Sequence, residues 1–145
     1  MSDAQTNFKP FDAVAARIKA VGYDNLNEYE KSYYAVWWFA AETENGGLHQ
    51  FFFNSTGGYI PEVRTGLRMM GATATLGIFE RAVALFGRPE LPRDDAQRRD
   101  IVRKLSSEAE QALDELSDEF YNSSEDLYGL REAFAANNRG RFGGG

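Results

Sequence analysis

The chain has no cysteine and a single histidine, His49, among its 145 residues. The first absence removes disulfides, thiolate nucleophiles and zinc–thiolate sites together. The second excludes any site that needs two imidazoles. No apolar run approaches the ~20 residues that a membrane span requires; the longest dense run is Tyr33 to Ala41. The opening MSDAQTNFKPFDAV lacks the basic segment followed by an apolar one that marks a secretory signal. These exclusions predict a cytoplasmic protein without membrane association. At this length one core buries roughly two-thirds of the unfolded surface, so neither staples nor a metal is required.

Bases are missing from one long stretch. The net charge of −6 divides into −4 over residues 1–63, +4 over 64–104, −8 over 105–130 and +2 over 131–145. Residues 105–130 hold 8 acids and no lysine or arginine. Such segregation bears on partners rather than on fold.

What is present is helical spacing. Phe11, Val14, Ala15, Ile18 and Val21 recur at three and four residues, and Gly22 supplies a stop. A second helix is expected over about 26–44, where YYAVWWFAA is apolar all round, as in a helix through the centre of a core. A short helix over about 48–54 follows, then helices over about 61–70 and 73–86 that meet at Gly71. Pro89 and Pro92 mark the loop 87–95. Helices resume at about 96–105, 107–120 and 125–136. Nothing alternates with period two. The sequence predicts an all-α single domain of about seven helices over residues 1–136, with 137–145 as a mobile, glycine-rich tail.

Between the second and third helices lies TENGGLHQFFFNSTGG, Thr43 to Gly58. Glycine accepts left-handed geometry at little cost, so Gly46 and Gly47 permit a sharp reversal that returns Phe51, Phe52 and Phe53 to Trp37 and Trp38. The amides of Asn45, Gln50 and Asn54 are then placed to satisfy buried helix-end backbone groups. A catalytic or metal cluster of Glu42, Glu44, His49 and Gln50 fits less well. Glu42 and Glu44 point different ways, and His49 lies beyond a helix break. No metal or cofactor is expected.

The base-free stretch contains a second pattern. Ala109, Leu113, Leu116 and Phe120 form a core-facing stripe, and every acid of this helix lies off it. Glu110, Asp114 and Asp118 make one row; Glu108, Glu115 and Glu119 lie on the other side. Eleven steps at 1.5 Å place six carboxylates within about 16 Å, roughly one per 3 Å, against one phosphate per about 3.4 Å of a DNA strand. Like charges at i,i+4 cost a few tenths of a kcal/mol each, so the row has a cost without a visible local gain. It is either a solvated face, neutralised in the fold by Arg98, Arg99, Arg103 or Arg131, or a surface for a basic partner.

ETENGGLHQFFFNSTGG, GLRMMGATATLGIFERAVALFG and LDELSDEFY together resemble a family of small helical bacterial proteins named for a DNA-mimic member. The most specific elements are Asn45-Gly46-Gly47 with Gln50, Phe51 and Asn54, then Gly71-Ala72. Asp114, Phe120 and Tyr121 match a looser segment. The resemblance implies an all-helical fold, commonly a homodimer, without cofactor or catalysis. It also implies acidic side chains that occupy the basic DNA-binding surface of a repressor, nucleoid protein or nuclease, with no direct contact to nucleic acid. The candidate partner-binding residues are Glu108, Glu110, Asp114, Glu115, Asp118, Glu119, Glu125 and Asp126; Glu44, Asn45, Gly46, Gly47, Gln50, Phe51, Asn54 and Gly71 are the structural motif. The alternative is a small enzyme or ligand binder with a pocket near Trp37, Trp38, His49 and Gln50.

Overall fold

In a computed structural model that describes residues 7–143, seven α-helices and three short 3₁₀ turns enclose one core, with no strand among the described residues. The helices are α1 (Pro10–Val21), α2 (Glu28–Phe53), α3 (Ile60–Met69), α4 (Thr73–Ala84), α5 (Asp95–Arg103), α6 (Ser107–Asn122) and α7 (Leu127–Asn137). Among the described residues no helix is long and apolar enough to cross a membrane.

α2 is the axis of the domain. Asn27 starts it with a capping box: its side chain accepts from the Glu30 N–H at 2.9 Å, and the Glu30 carboxylate accepts from the Asn27 N–H at 3.0 Å. That arrangement satisfies two helix-end donors reciprocally. Tyr33, Ala35, Val36, Phe39 and Ala40 are buried along the helix, which packs against α1, α3, α5, α6 and α7. The most extensive of these contacts is with α3. A Cβ at Gly66 would lie 2.7 Å from Val36 Cγ2 and 2.9 Å from the Ser32 carbonyl oxygen, so only glycine lets the two helices approach this far. α4 packs on both α3 and α6, which closes the layer around Phe39, Phe51 and Phe79.

Part of the segment assigned to the tail, residues 142 and 143, is docked on the core. Phe142 is buried and packs edge-on against Phe8, Tyr33 and Phe134, and the Gly143 N–H donates to buried Glu30 at 3.0 Å. Glycines around Phe142 gave the segment the composition of a linker, but one large aromatic ring is enough to dock it. Residues 144 and 145, also assigned to the tail, lie outside the described residues.

Candidate protein-binding surface

The conformation of two glycines breaks α2 before its last turns. Helical geometry fails at Gly46 (φ −148°, ψ 19°) and Gly47 (φ 82°, ψ 176°), where the sequence places its break, and Leu48–Phe53 resumes the helix. The groups that heal the break differ from those expected. The Leu48 N–H donates to Ser117 Oγ of α6 at 2.9 Å, and the Tyr121 hydroxyl, also from α6, donates to the Thr43 carbonyl at 2.7 Å. The side-chain amides bind one another instead. Asn45 Nδ2 donates to Gln50 Oε1 at 3.3 Å, Gln50 Nε2 donates to Glu42 at 3.4 Å, and Asn54 Nδ2 donates to the same Glu42 oxygen. Glu42 therefore ties the two sides of the break together, a role that no local pattern advertises.

The aromatic partners also differ. Phe51 meets Phe39 and Phe79, and Phe52 meets Phe79 and Phe86, while Trp37 and Trp38 pack with Phe11 and with each other. Phe53 stacks with His49 and lies beneath Arg99 and Arg103. No ring contact or hydrogen bond joins Trp37 and Trp38 to His49 and Gln50. Gly71 (φ 73°) ends α3, and the Ala72 N–H returns to the Leu67 carbonyl at 2.9 Å.

α6 thus has one face committed to the joint and the core, through Leu113, Leu116 and Ser117. Ser106 caps its N-terminus by accepting from the Ala109 N–H at 3.0 Å. The opposite face carries Glu108, Glu110, Asp114, Glu115, Asp118 and Glu119, all exposed. At 100° per residue they spread over about half the helix circumference.

The arginines nearest in sequence do not neutralise this face. Arg98 is fully buried and donates to the carbonyls of Phe52, Asn54, Pro92 and Arg93 and to Asp95. Arg99 donates to the Phe53 carbonyl at 3.1 Å, Arg103 lies over the Phe53 ring, and Arg131 pairs with Glu132. Part of the net-positive middle pairs within itself, as in Arg64 with Glu80 and Glu90, and Lys104 with Asp100. Among the described residues, Arg81 alone forms an ion pair with α6. Its guanidinium donates to both Glu119 oxygens at 3.0 and 2.6 Å, which holds the Glu119 carboxyl below its ordinary range. Glu108, Glu110, Asp114, Glu115 and Asp118 have no ion pair among the described residues.

Glu125 and Asp126 stand apart from the row. Glu125 receives the Ala74 N–H, the Thr75 N–H and the Thr75 hydroxyl, and so closes the N-terminus of α4. Burial raises its pKa, but those three donors outweigh burial and leave it below the ordinary value. Asp126 caps α7 by accepting from the Gly129 N–H at 2.9 Å. These two residues, Glu44 and the exposed rings of Tyr121 and Tyr128 line a recess of about 240 Å³ beside the end of α6. Among the described residues, no group of three His, Cys, Asp or Glu is placed to hold a metal.

The family model of DMP19-like proteins matches residues 24–138, most of the chain. The chain belongs to the DMP19-like protein family. The matched span takes in the whole joint and all of α6, and leaves out α1 and the docked Phe142. No curated protein and no solved structure gave a significant match. In this DMP19-like protein, Ser117, Tyr121 and Arg98 are the joint residues that sequence reasoning missed. A polar residue at i+4 from Leu113 was the only local hint of the first.

Proposed function

We propose that the protein is a non-enzymatic acidic binding module whose α6 face stands in for duplex phosphates. It docks there on the basic DNA-binding surface of another protein, such as a repressor, a nucleoid protein or a nuclease. One observation carries this reading: among the described residues, five of the six α6 carboxylates have no ion pair, while Arg98, Arg99 and Arg131 are engaged elsewhere. A face that served only solubility would gain from mixed signs, because like charges one turn apart repel. A row of unpaired acids has its energetic return in a basic partner, where complementary potential governs encounter and register. The membership of the DMP19-like family supports the same reading. The exposed tyrosines at the end of α6 fit it too, since tyrosine is enriched where proteins meet.

The test is competition. Basic proteins captured from a bacterial lysate at low salt are each loaded with a labelled DNA duplex, and the protein is titrated in. Stoichiometric release of the duplex by the wild type, and none by a variant with the α6 acids neutralised, is the expected result. A captured protein that keeps its duplex at saturating concentrations counts against mimicry.

A further inference from the structure

A second recess carries a small excess of positive charge. It has a volume of about 310 Å³ and is lined by Lys9 and Phe11 at the start of α1, Trp37 of α2, and Tyr128, Arg131 and Glu132 of α7, among others. A space of this size suits a small organic ligand.

The chemistry of the recess is set by Arg131. Its side chain as a whole is 9% exposed. Its Nε–H donates to Glu132 Oε2 at 2.8 Å, and the same oxygen receives the Tyr33 hydroxyl at 2.7 Å. The guanidinium also lies close enough to the Tyr33 hydroxyl to oppose the rise that burial and Glu132 impose on that phenol. No carboxylate or carbonyl accepts from Nη1 or Nη2 among the described residues. Nη1 and Nη2 are not among the buried polar atoms left without a partner, so the fork opens to water at the recess, where it can take an anionic ligand. A carboxylate matches that fork with two parallel hydrogen bonds.

The walls add a second requirement. The guanidinium carbon sits 5.0 Å from the centroid of Tyr128, 5.8 Å from Tyr33 and 6.0 Å from Trp37. Phe11 lies on Trp37 with centroids 4.1 Å apart. Tyr128 is 68% exposed, an unusual state for a large ring beside a recess. Lys9 and Arg131 against Glu132 leave the recess one positive charge in excess, which a monoanion balances.

We propose that this recess binds a small aromatic carboxylate. Its acid group takes the Nη1–Nη2 fork of Arg131, and its ring lies against Trp37, Phe11 and Tyr128. The site shares Tyr128 with the recess beside the end of α6 but uses none of the α6 carboxylates.

Phenylacetate is the probe, titrated into the full chain and followed by NMR at the Trp37 indole and the Tyr128 ring. Saturable shifts at both are expected, with acetate and phenylacetamide each at least about tenfold weaker, since one lacks the ring and the other the charge. Arg131→Gln loses at least about tenfold in affinity. Tyr128→Ala, which alters an exposed ring and leaves the core intact, loses several-fold and decides the matter if the arginine variant does not fold. The proposal is overturned by an absence of saturable shifts, by acetate or phenylacetamide binding as well as phenylacetate, or by unchanged affinity in Tyr128→Ala.

Discussion

Replacing Ser117 with alanine removes a single oxygen whose position couples the joint to the acidic helix. Ser117 Oγ accepts from the Leu48 N–H at 2.9 Å and donates to the Leu113 carbonyl at 3.1 Å, and Leu48 is fully buried. The Leu113 carbonyl keeps its place in the helix ladder. The Leu48 N–H is stranded, because Gly47 lies outside helical geometry and the helix supplies it no carbonyl. A buried donor left without a partner costs about 1–3 kcal/mol. Each kcal/mol is worth roughly 3 °C of melting temperature in a domain of this size, so the melt falls by about 3–9 °C. Thermal circular dichroism measures the fall, and hydrogen exchange at the Leu48 amide locates it. The reasoning is refuted by a melting temperature within about 1 °C of wild type together with an unaltered Leu48 exchange rate.

Gly47→Val strains a residue held at φ 82°, and its Cβ arrives 3.2 Å from Ser117 Oγ; a loss of about 1–3 kcal/mol in chemical denaturation is expected. Phe142→Ala empties a buried site between Phe8, Tyr33 and Phe134 and should cost about 3–5 kcal/mol. A mobile chain end would cost nothing in the same melt. Glu125→Gln weakens the closure of α4 by about 1 kcal/mol near neutral pH. The folded-state pKa of Glu125 is depressed, so its contribution is present above the ordinary carboxylate range and fades as pH falls through the folded value. The stability gap between wild type and variant should therefore narrow on acidification.

Helix positions were legible because apolar residues carry their own period. Leu113 and Leu116 of α6 are buried as that period requires, and Pro61 lies in the first turn of α3, where proline is tolerated. The break at Gly46-Gly47 was legible for a local reason, the left-handed tolerance of glycine. What closes the break was not. Ser117 and Tyr121 lie some seventy residues away, and neither residue type signals a distant backbone partner. Arg98 misled for the same reason. An arginine in a charged stretch looks like surface, whereas its real partners are carbonyls that only the fold gathers around it. Of the candidate binding residues, the α6 row followed from helix geometry alone, but the caps made by Glu125 and Asp126 depend on where α4 and α7 begin.

The central claim is that the unpaired carboxylates of α6 bind a basic protein surface. Glu108, Glu110, Asp114, Glu115 and Asp118 are changed to glutamine or asparagine, and Glu119 is kept because it pairs with Arg81. The helix should persist, since Leu113, Leu116 and Ser117 still face inward. The measurement is the affinity of wild type and variant for the captured basic partner at two salt concentrations. A loss of at least about 100-fold, with most of the salt dependence gone, is the predicted result. Equal affinity with an equal salt slope would contradict the claim and return the acidic face to the role of a solvated surface.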